Sequence, residues 1–139
     1  MSDFLTALNV AGSGLAAQRT RVDAAASNLA NAESTRGPDG QPYHRREVVL
    51  GAAGGEFASA LGAAEAVPVE VKQVIADPSP GKKVYSPGHP DADADGFVTL
   101  PDVNPVHETV NLMSAQRGYD ANATAVETLK SMAQRALDI

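Results

Sequence analysis

The chain has 139 residues, about one ordinary domain, yet only 4% of them are aromatic and Trp is absent, so large anchors for a compact core are few while small residues suited to close helix packing are many. Its formal net charge is −6 with 11 Lys and Arg scattered along it, which excludes the basic face that nucleic acid or an anionic membrane surface requires. Cysteine is absent, which excludes disulfides and thiol chemistry and leaves the compartment open.

The chain opens with MSDFLTALNVAGSGLAAQR. This stretch has neither a basic n-region nor an apolar run of membrane-spanning length, arguing against a cleaved secretory signal and against a membrane span. From about Ser2 to Glu33 there is no proline. With Met1 at heptad position a, the a positions are Met1, Leu8, Leu15, Val22 and Leu29 and the d positions Phe4, Ala11, Gln18, Ala25 and Ala32; Gln18 is the one polar member. That periodicity predicts a single helix of about thirty residues, closed by Gly37 as a left-handed stop and by Pro38.

Residues 36–103 change character. Short β-branched runs at Glu47–Leu50, Val67–Ile75, Val84-Tyr85 and Phe97–Leu100, bounded by glycines and prolines, predict a small β insert. Within it GAAGGEFASALGAAEA, at 51–66, is Ala/Gly-rich and is expected to be a mobile excursion between two strands, carrying no chemistry. Asn104-Pro105 then provides an N-cap and a proline at the first helical position, predicting a second long helix to the end of the chain. Its 3-4 stripe runs through Leu112, Ala115, Tyr119, Asn122, Val126, Leu129, Ala133 and Ala136, and the polar members Tyr119 and Asn122 are expected to fix register.

The fold class that follows is mainly α with a small β insert. The long terminal helices, 1–35 and 104–139, are expected to pair as a coiled coil forming one inner domain, with 36–103 as the insert.

One stretch looks like chemistry. In DADADG, Asp91, Asp93 and Asp95 stand at the first, third and fifth positions of a calcium loop, Gly96 at the sixth, and Asp102 where a bidentate Glu belongs. A calcium-binding coiled-coil adaptor is therefore the alternative function. The flanks oppose it: Pro87, Gly88 and Pro90 precede the loop and Pro101 lies within it, where an EF-hand needs helices, and Asp102 is one methylene short. The competing expectation is a turn in which the Asp side chains cap backbone N–H groups and Gly96 takes a positive φ. His44, His89 and His107 are far apart and no HExxH or Cys/His cluster exists, so no zinc site is expected. Gly12-Ser13-Gly14 has no preceding strand and is neither a nucleophile elbow nor a dinucleotide fingerprint; its glycines are expected to admit a neighbouring helix.

Both ends resemble one family. Ser13-Gly14-Leu15, Ala17, Asn28-Leu29-Ala30-Asn31-Ala32 and Thr35 resemble the N-terminal signature of bacterial flagellar axial proteins, the rod, hook and hook-associated proteins. Asn111, Arg117, Tyr119, Ala121, Asn122, Thr128, Met132 and Ala136-Leu137 resemble the partner helix of that family, and Asp77–Val106 resembles the segment before that helix in the proximal-rod type. Gly118, where a larger residue or Ala is common, and Asp120, where Gln is common, depart from the pattern.

The resemblance implies a structural subunit of the flagellar basal-body rod, not an enzyme, needing no cofactor. Such a subunit is exported through the flagellar type III apparatus without a cleaved signal and polymerises with other rod proteins and with copies of itself into the periplasm-crossing shaft that carries motor torque to the hook and filament. Neither nucleic acid nor membrane insertion enters. The implied assembly interface comprises Leu8, Ala11, Leu15, Val22, Asn28, Leu29, Asn31, Leu112, Ala115, Arg117, Tyr119, Asn122, Val126 and Leu129, with Asn28 and Asn31 expected to bond across subunits.

Overall fold

A computed structural model describes residues 2–54 and 66–137. Of the Ala/Gly-rich excursion expected at 51–66, residues 55–65 lie outside the described residues, while Gly51 and Ala52 belong to a strand, paired with Glu70 and Val69.

Helix α1 spans Ser2–Ala30. It stops short of the expected Glu33: Asn31 N still donates to Ser27 O at 3.1 Å, but Ala32 N turns to Leu29 O at 3.3 Å and Ser34 N to Asn31 O at 3.1 Å, tightening the chain into a turn, while Asn31 Nδ2 adds a second bond to Ser27 O at 2.8 Å. Gly37 is not the left-handed stop that the sequence suggested. The positive φ of this segment belongs to Gly40, at 79°, inside a turn in which Gly37 N donates to Gln41 O at 2.6 Å and Gly40 N to Gly37 O at 3.0 Å.

Four strands follow in two separate antiparallel pairs. Strand β1, Arg46–Ala52, pairs with β2, Val69–Ala76, from Arg46 opposite Ala76 to Ala52 opposite Val69, with a register shift between Val49 and Leu50. Strand β3, Lys82–Tyr85, pairs with β4, Phe97–Leu100, and the Tyr85 and Phe97 rings meet edge to face at 5.3 Å. Two-stranded ribbons are marginal alone. The β1–β2 ribbon leans on α1, where Val69 N donates to Ser13 Oγ at 3.0 Å.

Helix α2, Pro105–Leu137, starts where the cap was expected: Asn104 Oδ1 accepts from Val106 N at 3.0 Å and His107 N at 3.3 Å. It packs along α1. Asn28 faces Glu108, Gln18 faces Gly118 and Gly14 faces Asn122, so residue numbers fall on one helix as they rise on the other and the pair is antiparallel.

The interior is small. Its buried apolar residues are Ala11, Ala17, Ala25, Ala32 and Ala115 between or beside the helices, and Val98 and Val103 by the β3–β4 ribbon. The two largest fully buried side chains are polar, Glu108 and Asn28. Ala11, Ala25 and Ala32 are d residues of the expected seam, whereas the large a residues Leu8, Leu15, Val22 and Leu29 are only half-buried. Close approach of the backbones accounts for this: alanines on the facing side permit it, and larger residues flank the contact.

Candidate functional site

Where the end of α1, the start of β1 and the first turn of α2 converge, the side chains form a polar node. Asn28, 1% exposed, uses its whole amide there. Its Oδ1 accepts from Arg46 N at 2.7 Å and from Tyr43 Oη at 2.8 Å. Its Nδ2 donates to Arg46 O at 2.8 Å and to Glu108 Oε2 at 3.1 Å. Arg45 Nε donates to the other Glu108 oxygen at 2.7 Å. Ser27 and Tyr43 share a hydroxyl bond of 3.1 Å, and the Arg46 guanidinium lies 5.8 Å from the Tyr43 ring centroid.

Each member is placed by a local cause. Glu108 lies in the first turn of α2, where an acid suits the positive end of the helix dipole. Arg45 and Arg46 lead into β1, and their alternating directions send one guanidinium to Glu108 and the other over Tyr43. A buried carboxylate costs several kcal/mol unless paired and hydrogen-bonded, and Glu108 has both a cation and an amide donor. The hydrogen bond to Glu108, outweighing the desolvation that opposes it, holds the Arg45 guanidinium above its already high range. A raised pKa contributes its stability below the unfolded value and loses it only above that, so Arg45 stays charged throughout the working range. Among the described residues no buried side-chain N or O lacks a partner.

Further along the pair the helices exchange glycine and amide. A Cβ on Gly14 would lie 2.8 Å from Asn122 Nδ2, and a Cβ on Gly118 would lie 2.8 Å from Gln18 Cδ. Thus Gln18, the polar exception in the α1 seam, and Asn122, the polar member of the α2 stripe, each lie over a glycine of the opposite helix. Gly12, by contrast, meets nothing within 4 Å; of the two glycines expected to admit a helix, Gly14 alone does so. Tyr119, expected in the stripe, is 40% exposed, and Gly118 occupies the seam instead, because three residues rather than four separate it from the buried Ala115.

The acidic loop forms a turn. Asp93 Oδ1 accepts from Asp95 N at 3.0 Å and Phe97 N at 2.8 Å, and Gly96 is buried with φ of 82°. The carboxylate of Asp91 is tied to the segment after α1, accepting from Thr35 Oγ1 at 2.8 Å and pairing with Arg36 Nη2 at 2.7 Å. Asp102 pairs with Lys82 at 3.3 Å. Among the described residues no group of three or more His, Asp or Glu is arranged to hold a metal.

Of the residues expected at an assembly interface, Asn28, Ala11 and Ala115 are buried within the chain. Leu8, Leu15, Val22, Leu29, Asn31, Leu112, Asn122, Val126 and Leu129 are half-buried, and Arg117 and Tyr119 are exposed. Asn28 and Asn31, expected to bond across subunits, make intrachain bonds, Asn28 with its whole amide and Asn31 through Nδ2. The buried set is too small to reach far from the helix pair. Arg45, Tyr43, Arg46 and Glu108 escaped the sequence reading; the one cue was an acid in the first turn of a capped helix, which reads equally well as a solvated dipole partner.

The geometry is that of a scaffold: a long antiparallel helix pair pinned at one end by a satisfied polar node and laid open along its flanks. Comparison with known proteins defines the class. Residues 8–38 match the family described as flagella basal body rod protein, and residues 94–139 match the flagellar basal body rod FlgEFG protein C-terminal family. The flagellar basal-body rod protein FlgC of Salmonella typhimurium is 48% identical over 136 residues, covering 98% of this chain and 97% of that protein. FlgC of Escherichia coli O6:H1 is 47% identical over 136 residues with the same coverage. FlgC of Bacillus subtilis is 42% identical over 142 residues and covers 95% of each. The chain belongs to the FlgC family of flagellar basal-body rod proteins.

Proposed function

We propose that this chain is a structural subunit of the proximal part of the flagellar basal-body rod, polymerising with other rod proteins and with copies of itself into the shaft that carries motor torque to the hook and filament. One observation carries the reading beyond family membership: the chain is built inside out for a monomer. Its interior is alanine, two valines and a polar node, while Leu5, Val106, Val110, Met113, Met132 and Leu137 are 51–86% exposed. Val106, Val110 and Met113 follow a 3-4 spacing on the side of α2 turned away from Glu108 and Ala115. An apolar ridge of that kind on a soluble chain marks a surface that partners cover.

In this reading the paired termini form the inner, coiled-coil layer, and the insert at 36–103 lies further out against neighbouring subunits. The half-buried seam residues Leu8, Leu15, Val22, Leu29, Leu112, Val126 and Leu129, with the exposed Arg117 and Tyr119, complete their burial in the assembly. Export proceeds through the flagellar type III apparatus into the periplasm without signal cleavage; among the described residues no helix is long and apolar enough to cross a membrane. The role is mechanical and involves no catalysis.

The test is replacement of the native rod subunit in cells that lack it. The intact chain is expected to restore rods visible in isolated basal bodies, and Val110→Asp with Met113→Asp to abolish them while the purified variant keeps its helical circular dichroism. Rods unaffected by that pair would refute the assignment of this face.

A further inference from the structure

The β1–β2 ribbon has two outer edges, and α1 closes only one end of each. Within the ribbon Asp77 N donates to Arg45 O at 2.7 Å and Ala53 N to Pro68 O at 2.8 Å. By the alternation of an antiparallel ladder, the backbone groups of Arg46, Val48 and Leu50 on β1, and of Val69, Val74 and Ala76 on β2, therefore point outward. Asn28 accepts from Arg46 N at 2.7 Å and donates to Arg46 O at 2.8 Å, and Ser13 Oγ accepts from Val69 N at 3.0 Å. Helix α1 thus crosses the ribbon on a diagonal. Among the described residues nothing bonds the outward groups of Val48, Leu50, Val74 or Ala76.

These open halves lack the guards that soluble proteins place on an exposed edge, a projecting charge or a proline. Lys72 is the one cation on β2, but it folds back across the ribbon: a Cβ on Gly51 of β1 would lie 2.6 Å from Lys72 Cε, and the ammonium pairs with Glu70. On β1, Glu47 pairs with Arg45 and Arg46 lies over Tyr43. Val74 and Ile75 stand 48% and 41% exposed at the open end of β2. Val48 lines, with His107 and Asn111 of α2, an open cleft of about 220 Å³.

We propose that the open edge of β2 in one copy adds to the open edge of β1 in the next, continuing the ribbon from subunit to subunit. Pairing is antiparallel, with Ala76 opposite Val48 and Val74 opposite Leu50, so that each pair exchanges two backbone hydrogen bonds. The register selects the occupant. It sets Pro78, which has no N–H to offer, opposite the Arg46 that Asn28 already occupies, and it leaves the capped Val69 outside the contact. The like charges it brings together, Glu47 and Asp77, are each engaged within their own chain, by Arg45 and by Ser79 N. A β2–β2 contact would be isologous and stop at two copies, whereas β2 on β1 repeats head to tail. The proposal rests on the rod-subunit reading above, which supplies a repeating partner.

In cells lacking the native subunit, Val49→Cys and Ile75→Cys chains are made together and rods are isolated under mild oxidation. These positions fall opposite each other in a non-hydrogen-bonded pair, with Cα atoms about 4.5 Å apart, within reach of a disulfide. The chain has no cysteine of its own, so a disulfide dimer reports that contact alone. Dimers are expected from the mixture and from neither variant by itself. Dimers from Ile75→Cys alone, or none from the mixture in assembled rods, overturn the proposal. Val74→Pro removes only an outward N–H, which an edge strand tolerates, so the purified variant is expected to keep its circular dichroism while rods are lost. Normal rods with that variant refute the edge contact and leave the rod-subunit reading intact, whereas failure of the unaltered chain to assemble refutes that reading.

Discussion

Gly12 and Gly14 lie two residues apart in α1, and the same substitution at the two sites is expected to act with opposite sign. Alanine is better than glycine in a helix interior by about 1 kcal/mol, so that contribution is common to Gly12→Ala and Gly14→Ala. At Gly12 the added methyl meets nothing within 4 Å, and the variant should gain about that amount. At Gly14 the methyl would lie 2.8 Å from Asn122 Nδ2 and 3.0 Å from Asn122 Cγ, distances at which the helices must separate or the amide must swing away. Overpacking of this kind costs about 1–3 kcal/mol, leaving the variant between neutral and about 2 kcal/mol less stable. For a chain of this size about 1 kcal/mol moves Tm by about 4 °C. Thermal unfolding followed by circular dichroism, at a concentration where the chain is monomeric, should place the Gly14→Ala midpoint clearly below that of Gly12→Ala. Adding Asn122→Ala to Gly14→Ala should recover most of the loss, because the shorter side chain leaves room for the methyl. Equal stabilisation by both glycine substitutions, or no recovery from Asn122→Ala, would refute the reciprocal glycine–amide packing.

The polar node supports further expectations. Asn28→Ala removes four hydrogen bonds and leaves Arg46 N, Arg46 O and Glu108 short of partners inside the chain, so urea unfolding should show a loss of about 3 kcal/mol or more. Replacing Glu108 with Leu strands Arg45 and should cost about 3 kcal/mol, whereas Glu108→Leu with Arg45→Leu should regain part of that loss, since apolar replacement of a buried pair is often tolerated. At the acidic turn, Asp91→Ala breaks the contacts to Thr35 and to Arg36, the latter 64% exposed; unfolding should shift by only about 1 kcal/mol, while amide exchange across 86–96 speeds up. Calorimetric titration with calcium should give no binding heat in the micromolar range, because the Asp91, Asp93 and Asp102 carboxylates are engaged by protein groups. The free chain at low concentration should also show less helix by circular dichroism than α1 and α2 together contain, since the apolar ridge that would stabilise α2 is uncovered until assembly.

The sequence by itself determined the linear plan. Heptad spacing without proline gave α1, Asn104-Pro105 gave the start of α2, and β-branched runs between glycines and prolines gave the four strands among the described residues, because each of these signals acts within a few residues of its cause. The terminal signatures likewise carried the family. What the sequence left open was everything that depends on which residues meet across the chain. Asn28 and Asn31 read as assembly amides, and the fold gives Asn28 four intrachain hydrogen bonds and turns the Asn31 amide back on Ser27 O. Tyr119 fitted the stripe, yet antiparallel register puts Gly118 there to receive Gln18. Glu108 read as a first-turn acid, and only the approach of Arg45 and Asn28 from other elements makes it the largest fully buried side chain. Periodicity fixes the side of a helix on which a residue lies, but the depth of its burial is set by how closely the partner helix comes. Here the alanines and glycines of both helices decide that distance together.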